Sequence, residues 1–260
     1  MKIAYIAQPM DMVIPPKQNS IGIIIYEIAK RMSVQNDVGI FVNNGNSKTC
    51  DNIKIFNVNN KIDRYINLIN KYLNRPKRLE NITYPYFASQ LYYLAYSLKV
   101  ALRVRQLKYE VVHIINFSQF IPAIRALNPE VKIVIHMECE WLSQLEFYKI
   151  LQRINKADLI VGCSEYITDQ IRYRYPATGN SCYTIFNGAN ILDSDIKTQR
   201  SLNNRSKYSV RQGENYKIKN KRLLFVGRLS PEKGVHILLK AFLILIQKIK
   251  NISLFIRPPA

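Results

Sequence analysis

The chain has 260 residues, 48% of them hydrophobic, which excludes both a minimal single domain and an intrinsically disordered chain. Lysine and arginine total 38 against 18 aspartates and glutamates, a formal net charge of +20. Such a surplus favours partners that carry phosphate, namely nucleotides, nucleic acid or anionic lipid. The alternative is a solvated basic surface, because lysine is abundant along the whole chain.

Short apolar segments rich in β-branched residues recur through the first 190 residues and alternate with helical patterns. Continuous apolar strands predict a sheet buried on both faces, and the alternation with helices predicts parallel βαβ units. Helices are predicted at 21–32 and 85–108. The predicted strands cover residues 2–7, 37–42, 52–58, 109–115, 131–137, 157–164 and 182–187. The fold class is therefore α/β, with a Rossmann-like doubly wound domain over residues 1–191.

The sequence changes character after this domain. Residues 192–222 are polar and basic with little apolar periodicity, so they are predicted to form a linker. The strand RLLFVGR follows, and a helix is predicted to begin near Pro231 with Ser230 as its N-cap. A further apolar strand comes before the last residues. Residues 223–260 are therefore predicted to hold the first βαβ unit of a second domain.

The turn between this strand and this helix has the composition of an anion site. Backbone N–H groups and the positive end of a helix dipole point outward at such a turn. Arg228 and Lys233 add two full charges, Gly227 allows close approach of the backbone, and Gly234 leaves room beside Lys233. These groups are suited to bind a diphosphate. The alternative is a surface turn with solvated cations.

Four segments in order resemble a known family. VGRLSPEKGVHILLKAF resembles the segment that opens the C-terminal domain of family 4 glycosyltransferases with the GT-B fold. TIFNGAN resembles the end of their N-terminal domain, and ADLIVGCSEYIT and VKIVIHMECEW resemble two earlier strands with the residues that follow them. The four segments cover most of residues 131–242.

The resemblance implies a retaining enzyme that transfers a sugar from a nucleotide-diphosphate donor to a glycan or lipid-linked acceptor. It implies no metal and no cofactor, the nucleotide sugar being a substrate. It further implies that Arg228 and Lys233 bind the donor diphosphate. Fixed cations at that place stabilise the negative charge that grows on the leaving diphosphate in the transition state.

The resemblance also gives a catalytic role to His136. This histidine is expected at the carboxyl edge of the sheet, where open α/β sheets bind ligands, and in contact with the transferred sugar or the acceptor. Without the resemblance, a buried core histidine is the simpler interpretation. Glu138 and Glu140 are expected to be solvated and receive no catalytic role. His113 and His236 are expected to be structural.

Other residues are expected to line the cleft. Asn187 and Gly188 are predicted to form a tight turn, since both residue types tolerate a positive φ. Ser164 is expected either near the cleft or as an ordinary helix cap. Relatives carry glycines after the first strand, where this chain has Asn19 and Ser20, so we expect no phosphate contact from that loop. The loop also lacks the G-x-G-x-x-G pattern of dinucleotide-binding proteins.

The resemblance stops before a complete enzyme. The paired glutamates spaced E-x-x-x-x-x-x-x-E and the pocket for the base have no counterpart before Ala260, and Arg257 stands where a glycine is common. We therefore expect a truncated chain with low or no activity alone, whose last helix has apolar residues nearly all round and would be left partly uncovered.

Cysteine usage and charge bear on location and partners. Four cysteines without C-x-x-C spacing argue against a zinc site or a secreted disulfide framework, so we expect a cytoplasmic protein. No apolar run reaches membrane-spanning length, and the N-terminus lacks the pattern of a signal peptide. Lys99, Arg103, Arg105 and Lys108 on one predicted helix suggest contact with the anionic inner face of a membrane, or a solvated basic face. A noncatalytic basic binding module is the alternative function, although no nucleic-acid-binding motif supports it.

Overall fold

The computed structural model describes residues 1–43, 48–73, 85–188 and 221–258, so the predicted linker at 192–222 lies almost entirely outside the described residues. The chain divides into two compact units, Met1–Ala189 and Asn190–Ala260. Within the described residues the first unit contains an eight-stranded sheet, and the second contains a two-stranded sheet with one long helix.

The sheet of the first unit is parallel except at one edge. Its strands are β1 (Lys2–Ile6), β2 (Asp37–Val42), β3 (Lys48–Cys50), β4 (Ile53–Asn57), β5 (Val111–Ile115), β6 (Lys132–Met137), β7 (Leu159–Gly162) and β8 (Cys182–Thr184). They stand in the order β3–β4–β2–β1–β5–β6–β7–β8, and among these described strands only β3 and β4 pair antiparallel. The predicted doubly wound α/β fold is confirmed, and its strand order reverses between β1 and β5, the usual ligand-binding position of such sheets.

Helices pack on both faces of this sheet, as its nearly uninterrupted apolar strands require. The described helices of this unit are α1 (Ser20–Met32), α2 (Lys61–Leu73), α3 (Leu94–Leu107), α4 (Ile121–Leu127), α5 (Trp141–Gln144), α6 (Phe147–Ile154) and α7 (Glu165–Arg174). One apolar cluster joins Ile114 and Ile135 to residues of α3 and α4, and the other joins Tyr5 and Ile40 to α1.

The helix predicted at 85–108 is shorter than expected. A 3₁₀ turn spans Tyr86–Ala88, Tyr93 takes a left-handed conformation with φ of 60°, and α3 begins only at Leu94. The carboxylate of Asp63, in α2, accepts the backbone N–H groups of Ala95 and Tyr96, both at 2.9 Å. These are unpaired N–H groups of the first helical turn, so a residue more than thirty positions away in the sequence fixes the start of this helix.

The second unit is the predicted βαβ arrangement. β9 (Lys221–Val226) and β10 (Ile252–Arg257) pair in parallel, and α8 (Val235–Lys248) connects them. The α-helix begins four residues later than predicted, because Pro231–Lys233 forms a separate 3₁₀ turn that ends at Gly234 in the left-handed conformation, with φ of 68°. Ser230 stands at the N-cap position of this turn without a capping hydrogen bond.

The described residues of this second unit include no buried side chain. Ile237 of α8 is 62% exposed and Phe255 of β10 is 52% exposed. The expectation that this helix would be left partly uncovered therefore holds for the part of the chain that the structure describes.

Candidate functional site

The imidazole of His136 lies near the carboxyl end of β6. Its neighbours Ile135 and Met137 point into the main apolar cluster, so His136 lies on the opposite face of the sheet. The ring is buried, with 2% of the residue exposed. On the adjacent strand its register partner is Ile115, which places His113, two residues earlier, on the same face.

Both ring nitrogens of His136 face polar groups of the protein. Nδ1 is 3.2 Å from Nε2 of His113. Nε2 is 3.1 Å from Oε1 of Glu138, which is ion-pair distance, although the two atoms are not aligned as a good hydrogen bond. A substrate group can therefore bond to this ring only by replacing one of these partners.

Glu138 is not solvated as expected. Its side chain is only 6% exposed, and Oε2 accepts a 2.7 Å hydrogen bond from the side-chain amide of Asn187. Burial by itself would raise the pKa of this carboxyl, but the neighbouring imidazole of His136 and the hydrogen bond from Asn187 hold the pKa below its ordinary value. The structure thus places an ionised, nearly buried carboxylate at the carboxyl edge of the sheet.

Asn187 and Gly188 do not have the positive φ on which the predicted tight turn was based. Both are exposed, in a segment without regular secondary structure after β8. Asn187 instead contributes its side-chain amide, which ties this segment to Glu138. A Cβ added to Gly188 would meet nothing within 4 Å, so nothing in the described structure requires glycine there.

Asn116 is a site residue that the sequence analysis missed. It follows β5 directly and takes a left-handed conformation with φ of 58°. Its backbone N–H donates to the carbonyl of His136 at 2.8 Å, and its side-chain oxygen accepts from the backbone N–H of Glu138 at 2.7 Å. An asparagine placed immediately after an apolar strand is the signal that was available, since asparagine tolerates this conformation better than most residues.

Ser164 serves as a helix cap. Its hydroxyl accepts the backbone N–H of Ile167 at 3.3 Å and so closes the first turn of α7. The second of the two expectations for Ser164 is therefore confirmed, and its place just beyond β7 keeps it at the same edge of the sheet as His136.

The loop after β1 is held by its own side chains. Asn19 caps α1 by accepting the N–H of Gly22 at 2.7 Å and donates to the carboxylate of Asp11 at 2.9 Å. Gly22 packs against the loop so closely that an added Cβ would lie 1.9 Å from the carbonyl oxygen of Met12. The side chain of Asp11 is buried beside the start of this helix, so the loop is filled by its own polar groups.

Arg228 and Lys233 lie on either side of the turn that follows β9. Arg228 is 69% exposed, and its guanidinium is 3.9 Å from the carboxylate of Glu232, a loose and solvated pair. Lys233 is exposed at the end of the 3₁₀ turn, and the N–H of Gly227 donates to the carbonyl of Arg257 at 3.2 Å. Among the described residues, neither of these two cations is committed to a tight ion pair.

The described residues also bear on other kinds of site. They contain no cluster of three histidine, cysteine, aspartate or glutamate side chains arranged to hold a metal ion. Within the same ranges no helix has the length and apolar character needed to span a bilayer.

The fold and this edge define a doubly wound α/β protein whose polar groups gather at the carboxyl ends of parallel strands, and comparison with known proteins identifies its family. The family model for Glycosyltransferase Family 4 matches residues 21–191, more than half of the chain. The chain therefore belongs to glycosyltransferase family 4.

Individual relatives agree with this assignment. The chain is 27% identical over 154 residues to spore coat protein SA of Bacillus subtilis, covering 56% of this chain and 39% of that protein. It is 27% identical over 244 residues to the lipopolysaccharide 1,2-N-acetylglucosaminetransferase of Salmonella typhimurium, covering 93% of this chain and 56% of that enzyme. The chain thus spans about half the length of the curated relatives that it matches.

A solved structure supports the fold. The catalytic domain of starch synthase IV from Arabidopsis thaliana, bound to ADP and acarbose, superposes with a TM-score of 0.55 at 11% identity. The match covers 100% of this chain and 69% of that domain. At this identity the likeness concerns the fold alone, which is GT-B-like.

Proposed function

We propose that this chain takes part in the retaining transfer of a sugar from a nucleotide-diphosphate donor to a glycan or lipid-linked acceptor. The observation that supports this most is the pair of exposed cations, Arg228 and Lys233, at the turn that follows a parallel strand. In a chain of this family, two uncommitted cations at such a turn suit a diphosphate better than any other common ligand.

The cations act on the leaving group. Breakage of the bond between sugar and phosphate leaves negative charge on the diphosphate, and fixed cations stabilise that charge more in the transition state than in the ground state. Arg228 can bind two phosphate oxygens at once through its planar guanidinium, whereas Lys233 acts as a point charge. Glu232 lowers the net charge of the turn, and the diphosphate takes its place beside Arg228.

His136 acts near the sugar together with Glu138. The ionised carboxylate of Glu138 accepts hydrogen bonds only, so a hydroxyl of the sugar or the acceptor is the group that it would bind. When such a hydroxyl enters, Nε2 of His136 exchanges its contact with Glu138 for one with the substrate. Asn187 and Gly188 lie exposed beside the carboxylate and line this site, while Ser164 and Gly227 support the turns at the ends of β7 and β9.

We also propose that one side of α3 rests on an anionic membrane surface where the acceptor is lipid-linked. The four cations of this helix do not share a single side: Lys99 and Arg103 line one groove, and Arg105 and Lys108 line another. Leu102, which lines the first groove, is 47% exposed, and Ile62 and Tyr65 on the neighbouring helix α2 are 52% and 70% exposed. Exposed apolar side chains next to cations favour the interface of a lipid bilayer.

Vesicle sedimentation tests the membrane contact. The chain is expected to sediment with phosphatidylglycerol vesicles and not with phosphatidylcholine vesicles. Substitution of both Lys99 and Arg103 by glutamine is expected to release it, whereas the same change at Arg105 and Lys108 is not. Equal loss from both double variants would indicate a diffuse charge effect only.

Donor turnover tests the proposed activity. The chain is incubated with UDP-N-acetylglucosamine, UDP-glucose and ADP-glucose in turn, with and without a membrane lipid extract, and release of the nucleoside diphosphate is measured. We expect release from one donor, with a product that keeps the anomeric configuration of the donor when followed by proton NMR. Release with inverted configuration would refute retention, and absence of release from every donor would favour a noncatalytic module.

A further inference from the structure

We infer that His113 is a positioning residue for His136: it bonds Nδ1 of His136 and thereby fixes Nε2 as the ring N–H that faces Glu138. The inference rests on the proposed function where it concerns catalysis. The arrangement of the three side chains can be tested without it.

The two histidines are held on adjacent parallel strands. In the register of β5 and β6, His113 pairs with Val134 and Ile115 with His136, so the two rings lie two residues apart on one face of the sheet. Their centroids are 5.3 Å apart, and Nε2 of His113 is 3.2 Å from Nδ1 of His136. Because both residues lie inside the sheet, this contact depends on backbone that is hydrogen-bonded on both sides.

The ring of His113 is itself fixed from the other side. Tyr5, its register partner on β1, stacks on it with centroids 5.0 Å apart and the ring planes 27° apart. His113 is partly buried, and protein atoms surround its ring closely. Burial, and then the neighbouring His136, lower the pKa of His113 to about 3, so this ring is neutral near neutral pH.

The proton positions follow from the partners. A neutral imidazole has one N–H, and when Nε2 of His113 carries it, that N–H donates to Nδ1 of His136. The proton of His136 is then on Nε2, which faces Oε1 of Glu138, an acceptor. If His136 is doubly protonated, it donates from both nitrogens and Nε2–H still faces the carboxylate. The remaining tautomer, with the proton on Nδ1 alone, would set the lone pair of Nε2 against a carboxylate.

A hydrogen bond to one ring nitrogen of a histidine fixes its tautomer and so prepares the other nitrogen for a single role. The partner in that hydrogen bond is usually a carboxylate or a carbonyl. Here the partner is a second histidine. From the sequence, His113 was expected to be structural, and only the register of two parallel strands brings its ring to His136.

Nitrogen-15 NMR of the full chain tests the inference. The chain has three histidines, and His236 lies exposed on α8, so the long-range proton–nitrogen spectrum contains three rings, assigned with a His236→Gln variant. In the unchanged protein near pH 7.5 we expect Nε2 of His136 to be protonated. In His113→Leu we expect the ring to show a mixture of tautomers, and in His113→Gln, whose amide still donates, the original pattern.

Each outcome decides the matter. The inference would be overturned if His136 is protonated on Nδ1 alone in the unchanged chain. It would also be overturned if His113→Leu leaves the nitrogen signals of His136 unaltered. If His113→Leu does not fold, the spectrum of the unchanged chain and that of His113→Gln still decide, since the first reports the tautomer and the second its rescue.

A kinetic arm separates this inference from the proposed function. For the donor that is turned over, we expect His113→Leu to lower kcat by on the order of tenfold with little change in KM, and His113→Gln to restore most of it, because only the orientation of a catalytic group is lost. If the unchanged chain releases no nucleoside diphosphate, the proposed function fails, while the tautomer of His136 still reports on His113.

Discussion

The side chains of Asn187 and Glu138, 49 positions apart in the sequence, are joined by a hydrogen bond of 2.7 Å. This bond fastens the segment after β8 to the end of β6, beside His136. It also helps to keep the carboxylate of Glu138 ionised despite its burial. The edge of the sheet is therefore organised around one negative group held by an imidazole and an amide.

Removal of this amide is expected to raise the pKa of Glu138. In Asn187→Ala the carboxylate loses one of the donors that favour its charged form, so burial weighs more heavily on the pKa. Carbon-13 NMR titration of the Glu138 carboxyl measures the change. Asn180→Ala, an exposed asparagine of the same unit, is the matched control. A Glu138 pKa that is equal in both variants would contradict the role given to Asn187.

The stability of the first unit is expected to fall on mild acidification because of His113. Its pKa lies near 3 in the folded chain and near 6.5 ordinarily, so below pH 6.5 the unfolded chain binds a proton that the folded chain does not. Stability is thus lost as the pH falls from 6.5 towards 3. At pH 5 this difference in proton binding lowers the free energy of unfolding by at most about 2 kcal/mol. Replacement of His113 by glutamine removes this loss.

Thermal unfolding at pH 7.5 and pH 5 checks this expectation. The drop in Tm between the two values should be smaller in His113→Gln than in the unchanged chain. His236→Gln, which changes an exposed histidine, should behave like the unchanged chain. Equal drops in all three proteins would show that His113 titrates normally.

Asp63 is expected to stabilise α3 from a distance. Asp63→Ala leaves the N–H groups of Ala95 and Tyr96 without their acceptor, and loss of such a cap costs about 1–2 kcal/mol. Asp63→Asn keeps one acceptor oxygen and should cost less. Urea unfolding measures both, with Lys61→Ala as an exposed control on the same helix. Equal stability of the three variants would contradict the cap.

Much of the fold follows from the sequence because apolar runs mark strands that are buried on both faces. The parallel strands and the second βαβ unit were predicted from this pattern, though with less exact ends. The short β3, by contrast, has three residues and no apolar run, so only its antiparallel pairing with β4 defines it.

The errors arise where distant side chains decide local structure. Asp63 sets the start of α3, and the left-handed Tyr93 interrupts what reads as one long amphipathic helix. The position of His136 at the carboxyl edge of the sheet was predicted, but its contact with His113 of the adjacent strand was not. Glu138 was expected to be solvated, because its contact with the side chain of Asn187 joins residues 49 positions apart in the sequence.

The second unit is expected to be the less stable part of the chain. Its described residues include no buried side chain, whereas Ile6, Ile114 and Ile135 in the large sheet are fully buried. Since local opening follows the density of buried contacts, the amides of β9, α8 and β10 should exchange with deuterium much faster than those of β1, β5 and β6. Mass spectrometry measures the exchange of both sets of amides over minutes to hours. Equal protection of the two units would contradict the lower stability expected for the second.

Binding of a nucleoside diphosphate tests the central claim most directly. Calorimetry with UDP and with ADP measures binding to the unchanged chain and to two double variants. The first carries Arg228→Gln and Lys233→Gln. The second carries Lys240→Gln and Lys248→Gln, which remove the same charge from two exposed cations of α8. We predict that the first double variant weakens binding by about tenfold or more, as expected for loss of charge-assisted bonds, and that the second leaves it nearly unchanged. Binding that is equal in all three proteins, or absent from the unchanged chain, would contradict the proposed role of Arg228 and Lys233.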